Sequence, residues 1–135
     1  MNPTHLALAM LGGALGAGLR FWLGATLIQR FGDGMPWGTL AVNLGGSFAA
    51  GLLFAVLAER GGIADALRAL LIVGLLGGLT TYSSLMLELM TLGRSGQGDR
   101  AAGYLAVTLV GGLALVWAGL RLGEALRAPL PPPVG

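Results

Sequence analysis

Cysteine is absent from this chain of 135 residues, and histidine occurs once, as His5. The lack of thiols excludes thiolate chemistry, and a single histidine is too few for a zinc site built from His and Cys ligands. Lysine is also absent, so all eight basic residues are arginines, and they form no cluster. Although the pI is near 9.9, the chain therefore lacks the basic patch of a nucleic-acid-binding protein.

Charge of either sign is scarce. Charged residues make up 10% of the chain and hydrophobic residues 55%, whereas roughly 25% of a soluble domain is charged. The mean hydropathy of +0.79 agrees with this imbalance. Most of the surface must therefore face something other than water, and the sequence predicts an all-α integral membrane protein.

Four stretches have the roughly 20 apolar residues that a membrane-spanning helix requires. The predicted helices cover about residues 4–28, 37–58, 66–90 and 101–124, within a single transmembrane domain at 1–128. Short polar connections separate them. A Pro-rich tail at 129–135 is predicted to be extended and disordered, and no role is assigned to it.

The arginines are distributed almost evenly between the two sides of the membrane. The side that holds both termini receives four (Arg60, Arg68, Arg121, Arg127), and the other side receives three (Arg30, Arg94, Arg100), with Arg20 inside the span. Because arginine asymmetry normally sets orientation, this balance predicts insertion in both directions. Two oppositely inserted copies could pair as an antiparallel homodimer. The alternative is that lipids or the insertion machinery still select one orientation.

The third predicted span has the sequence GGLTTYSS at residues 77–84, near its centre. Paired glycines followed by β-branched and hydroxyl residues form helix poorly. A break at this point would free backbone carbonyls for a hard cation such as Na⁺, or helix N-termini for an anion. The alternative is a continuous helix in which the hydroxyls bond back to their own helix.

The other polar side chains of the spans gather in one half of the membrane. Arg20 could attract anions, with neutral donors alongside it, and intramembrane ionisable residues are functional candidates. Glu88 would line the same vestibule or pair structurally with Arg20. The residues concerned are Arg20, Thr39, Asn43, Glu88, Tyr104 and Thr108.

Together these segments resemble the Fluc (CrcB) fluoride channels. The resemblance is carried by residues 12–17 with Arg20, by residues 38–48 around Asn43, and by residues 77–84 with Glu88. It covers essentially the whole chain except the tail. It implies a dual-topology homodimer, not an enzyme, that exports fluoride passively across a bacterial inner membrane through two pores.

The resemblance also implies roles for individual residues. The backbone carbonyls of Gly77 and Thr80 would hold a central, structural Na⁺. Tyr82 occupies the position of one of two pore phenylalanines and Leu85 the other, while Gly112 replaces a frequent hydroxyl. The remaining pore and vestibule residues implied are Asn43, Ser83, Ser84, Arg20, Thr39, Tyr104 and Thr108.

Two other classes remain open at this stage. Small multidrug exporters also have four spans and dual topology, but they need a carboxylate inside the first span. The charge in that span here is Arg20, which argues against this class. The second alternative is a membrane assembly subunit without transport activity.

Overall fold

The computed structural model describes residues 2–58 and 62–127, and the regular structure in these ranges is helical. Four helical stretches are long and apolar enough to cross a membrane, which confirms the predicted four-span, all-helical architecture. The predicted tail at 129–135 lies outside the described residues. The helices are α1 (Pro3–Phe31), α2 (Trp37–Val56), α3 (Gly62–Leu67, continuing as a π-helix over Arg68–Leu76 and ending as Gly77–Leu79), α4 (Tyr82–Arg94) and α5 (Gly98–Ala106, π-helical Val107–Gly111, then Gly112–Leu126).

Three of the four spans extend beyond the apolar stretches from which they were predicted, whereas α2 ends at Val56 rather than near residue 58. The third span begins at Gly62 rather than near residue 66, and the fourth begins at Gly98 rather than near 101. Helical hydrogen bonding continues into the polar flanks, because backbone pairing does not depend on side-chain hydropathy. Local chemistry fixes the ends of α1: the Asn2 side chain accepts the Thr4 N–H at 2.9 Å, and Gly32 at φ 79° ends the helix.

Glycines bring the helices together in two closely packed pairs. A Cβ added to Gly74 would lie 2.6 Å from the Ala9 carbonyl oxygen, and Gly12 faces the backbone of Leu70 and Leu75. These contacts join α1 to α3. Gly51 and Gly119 join α2 to α5 in the same way. The small residues therefore permit direct backbone contact between helices, as in other membrane proteins.

The third span is interrupted between α3 and α4. Thr80 has φ −79° and ψ 153°, and Thr81 has φ −150° and ψ 118°, so both are extended. The Thr80 N–H and hydroxyl both donate to the Leu76 carbonyl, at 2.9 and 2.8 Å. The hydroxyl thus bonds back to its own helix, as expected in the alternative of a continuous helix, but the helix nevertheless ends at Leu79. Thr80 also packs its methyl group against Gly46 of α2.

Candidate functional site

Asn43 of α2 holds the interruption through two hydrogen bonds. Its side-chain oxygen accepts the Thr81 N–H at 2.7 Å, and its side-chain nitrogen donates to the Thr81 carbonyl at 3.0 Å. The amide therefore pairs with both polar groups of one extended residue. In hydrocarbon such groups need partners inside the protein, and Asn43 provides them.

Thr81 caps the helix that follows. Its hydroxyl oxygen accepts the Ser84 N–H at 3.2 Å and donates to the Ser84 Oγ at 3.1 Å, and it lies 3.3 Å from the Ser83 Oγ. Thr81 is buried, at 7% exposed. Sequence reasoning did not select this residue, although a threonine ahead of a helical segment is a common N-cap.

These bonds remove two donors from the helical ladder. In a continuous α-helix the Thr81 N–H would donate to the Gly77 carbonyl, and the Ser84 N–H would donate to the Thr80 carbonyl. Here the Thr81 N–H goes to Asn43 and the Ser84 N–H goes to Thr81 Oγ1. The carbonyls that lose their helical donors thus include those of Gly77 and Thr80, the two residues that the family resemblance implies as Na⁺ ligands.

Glu88 lies at the centre of a second polar network, which joins three helices. Its Oε1 accepts the Thr39 hydroxyl of α2 at 2.6 Å, and its Oε2 accepts the Tyr104 hydroxyl of α5 at 2.7 Å. Tyr104 is 2% exposed and packs in a core cluster with Leu85 and Leu92. Of the two roles expected for Glu88, the ion pair with Arg20 is not found in the described residues.

A cavity of about 460 Å³ lies beside the interruption. Asn43, Tyr82, Leu85 and Thr108 line it, together with Gly77 and Thr80. Thr108 is buried and donates to the Tyr104 carbonyl at 2.8 Å, one turn back along its own helix. Leu85 is only 3% exposed because it also belongs to the core cluster, whereas Tyr82 is 74% exposed on the surface of the single chain.

Arg20 lines two further cavities on the other side of α4. One, of about 510 Å³, contains Ser83 and Ser84, and the other, of about 590 Å³, contains Glu88 and Asp33. Thr39 borders both of them. Within the described residues, the Arg20 guanidinium has no hydrogen-bond or ion-pair partner.

The residues expected to line one path therefore fall into two groups. Asn43, Tyr82, Leu85 and Thr108 share one cavity, while Arg20, Thr39, Ser83 and Ser84 share another. Thr81 joins the groups, since it bonds to Asn43 on one side and to both serines on the other. Gly112, which stands where the family often has a hydroxyl, is buried in α5, and a Cβ added to it would lie 3.5 Å from the Ser47 Oγ.

The fold and the polar centre define a multi-pass membrane protein with four spans, and the comparisons with known proteins identify its family. Residues 7–120 match the family described as CrcB-like protein, Camphor Resistance (CrcB). The chain belongs to this family.

Similar proteins carry a common description. A protein of Xanthomonas euvesicatoria pv. vesicatoria (strain 85-10) is 61% identical over 124 residues, which cover 92% of this chain and 93% of that protein. One from Xylella fastidiosa (strain 9a5c) is 57% identical over 87% of this chain and 82% of its own length. One from Allorhizobium ampelinum (strain ATCC BAA-846 / DSM 112012 / S4) is 45% identical over 86% and 93%. Each is named "Fluoride-specific ion channel FluC".

Proposed function

We propose that this chain is a fluoride-selective channel that exports fluoride passively across a bacterial inner membrane. The observation that carries the proposal is the 61% identity, over nearly all of both chains, to a protein named as a fluoride-specific ion channel. It is a transport protein and not an enzyme. Fluoride and membrane lipid are its partners, with a second copy of the chain.

The electrostatics of the site support an anion as the transported species. Arg20 has no ion-pair partner in the described residues, so its positive charge remains available to an anion that enters the cavity of about 510 Å³, which no carboxylate of the described residues lines. The Thr39 hydroxyl also borders this cavity but donates to Glu88, which leaves the neutral hydroxyl groups of Ser83 and Ser84 to face an anion. Donors of this kind can replace the water around an anion without binding it so strongly that it cannot leave.

The active form is an antiparallel homodimer, with the interruption of the third span at mid-membrane. The large exposed apolar side chains of the single chain, Tyr82 among them, need lipid or a second copy to cover them. The balanced arginines support opposite insertion of the two copies. Extended backbone within hydrocarbon also requires protein or water around it, which a second copy provides.

A structural Na⁺ fits between the two copies. The carbonyls of Gly77 and Thr80 lack their helical donors, and freed carbonyls of broken membrane helices are suitable ligands for Na⁺. Gly77 is exposed on the single chain and Thr80 is half-buried, so a partner's matching carbonyls could approach them. The ion would neutralise the carbonyl dipoles of both copies and hold the interrupted spans together.

Ion flux from proteoliposomes tests the transport function. Purified protein is reconstituted in liposomes loaded with potassium fluoride or potassium chloride, and a pulse of valinomycin permits charge-balanced efflux. We expect rapid fluoride release and little chloride release. Proton-coupled drug uptake would instead indicate an exporter of the small multidrug class, and the absence of all flux would indicate an assembly subunit.

The orientation is tested by a single thiol. Gly34→Cys places the only cysteine of the chain in the exposed connection between α1 and α2, where an added Cβ meets none of the described residues within 4 Å. A membrane-impermeant maleimide should label about half of the molecules from outside the cell, because both orientations are inserted. Complete labelling, or none in a membrane whose permeabilised form labels fully, would contradict dual topology.

A further inference from the structure

The side chains of Asn43 and Thr81 make the same kind of contact at the interruption of the third span. Each offers an oxygen to a backbone N–H that would otherwise close a helical hydrogen bond: Asn43 takes the Thr81 N–H, and Thr81 takes the Ser84 N–H. The Gly77 and Thr80 carbonyls are therefore among the acceptors that the interruption leaves free. Neither side chain needs to touch a cation to decide whether these two carbonyls can bind one.

We infer that Asn43 and Thr81 are positioning residues for the central cation site, because their side-chain oxygens keep the Gly77 and Thr80 carbonyls out of the helical ladder. The inference rests on the proposed function, in which those carbonyls hold Na⁺. It assigns Asn43 a task besides lining a cavity, and it assigns a task to Thr81, which sequence reasoning did not select.

The geometry favours this assignment over a simple packing role. The two bonds from Asn43 engage both the N–H and the carbonyl of Thr81, and so hold that residue at φ −150° and ψ 118°. Without the amide oxygen, the Thr81 N–H would have no acceptor in a region where backbone groups must pair. The Gly77 carbonyl, four residues back, is its natural helical acceptor, and bonding to it would remove one proposed ligand from the cation site.

Two variants of similar shape each remove one side-chain oxygen that accepts a backbone N–H at the interruption. Asn43→Leu removes the acceptor of the Thr81 N–H, and Thr81→Val removes the acceptor of the Ser84 N–H while keeping a β-branched side chain in an extended backbone. Asn43→Asp keeps an oxygen that can accept the Thr81 N–H. Ser47→Ala is the matched control, since Ser47 lies one turn from Asn43 and its hydroxyl donates to the Asn43 backbone carbonyl at 2.7 Å, not to the interruption.

The readout is the thermal stability of the purified dimer in detergent, titrated with NaCl at constant ionic strength against N-methylglucamine chloride. A ligand that binds only the folded state raises the melting temperature as its concentration increases. We expect Asn43→Leu and Thr81→Val to raise the Na⁺ concentration at half-effect by about 10–100-fold, the range typical of lost supporting groups around a metal. Wild type, Ser47→Ala and Asn43→Asp should respond at low Na⁺.

If Asn43→Leu and Thr81→Val both show the same Na⁺ dependence of the melting temperature as the wild type, this inference is wrong. The proposed cation site and the proposed function would not be affected by that result. No Na⁺ dependence in the wild type would overturn the cation site itself, and this inference with it, without affecting the fluoride flux result. If the variants do not fold, the inference is tested instead by hydrogen exchange of the Thr81 amide in the wild type. The Thr81 N–H should exchange slowly because Asn43 accepts it, and rapid exchange would overturn the inference.

Discussion

The two halves of the third span are held in the bundle by opposite means. Before the interruption, α3 packs on α1 through backbone contacts at glycines, with Gly74 and Gly78 lying against Ala9 and Gly13. After it, α4 is joined to α2 and α5 by hydrogen bonds between polar side chains, with Glu88 at their centre. Glycines, which have no side chain, thus set the distance between α1 and α3, while polar side chains define the candidate site that the helices surround.

The difference predicts how each half should fail when it is changed. Damage to a glycine contact should affect the whole bundle, because the backbones themselves must move apart. Damage to a polar contact should leave the bundle folded and alter conduction or cation binding. Substitutions at the two kinds of position therefore distinguish residues that hold the helices together from residues that act in conduction or cation binding.

The largest expected effect is that of Gly12→Leu. An added Cβ at Gly12 would meet the Leu70 carbonyl and lie 2.8 Å from the Leu75 nitrogen, both of them backbone atoms of α3. The cost should exceed the roughly 1–3 kcal/mol typical of overpacking, so we expect little folded protein by size-exclusion chromatography and thermal unfolding. Gly18→Leu on the same helix is the control, since a Cβ there meets nothing within 4 Å in the described part of the chain. Equal yields of the two variants would contradict the packing account.

Gly77→Leu should have a narrower effect, on assembly. Among the described residues of the single chain, a Cβ at Gly77 approaches only the Ile72 carbonyl, at 3.9 Å, so the chain itself should still fold. If this face meets a second copy around the cation, a bulky side chain should prevent dimerisation, as measured by cross-linking in membranes and by molecular mass in detergent. Thr80→Ser keeps the backbone carbonyl and should remain dimeric. A stable dimer of Gly77→Leu would place the partner copy elsewhere.

The smallest expected effect is a gain in Leu85→Phe. Leu85 borders the cavity that contains Asn43 and Tyr82, and an aromatic ring there would present a positive edge to an anion. A stabilisation of about 1 kcal/mol, typical of a weak aromatic contact, corresponds to less than about a tenfold increase in rate. Fluoride efflux is the measurement. An unchanged or lower rate with an intact dimer would assign Leu85 to the core cluster with Leu92 and Tyr104 alone.

The sequence predicted the framework well, because hydropathy and length alone identify membrane helices. The position of the interruption could also be predicted, since Gly77 and Gly78 precede a run of residues with low helix propensity. The π-helical segments Arg68–Leu76 and Val107–Gly111 were not predicted. Their apolar sequences resemble ordinary helix, and hydropathy does not distinguish the two kinds of hydrogen bonding.

The candidate site was predicted as a set of residues but not as an arrangement. Thr39 and Asn43 lie one turn apart on α2, yet one bonds to Glu88 and the other to Thr81. Spacing along one helix could place them on one face, but it could not reveal their partners on other helices. The unselected Thr81 illustrates the same limit, because its importance comes from contacts with Asn43, Ser83 and Ser84 across a fold that sequence alone does not specify.

The most direct test of the account is fluoride efflux from liposomes that contain Asn43→Asp. The aspartate can still accept the Thr81 N–H, so the framework and the dimer should persist, but it replaces a neutral donor with a negative charge in the cavity beside the interruption. We predict that fluoride efflux falls by at least about tenfold, equivalent to about 1.4 kcal/mol in the barrier. Thr26→Val removes a hydroxyl that donates to the Trp22 carbonyl of its own helix, and this variant should conduct normally. Normal fluoride efflux through a dimeric Asn43→Asp protein would contradict the claim that the anion passes this site.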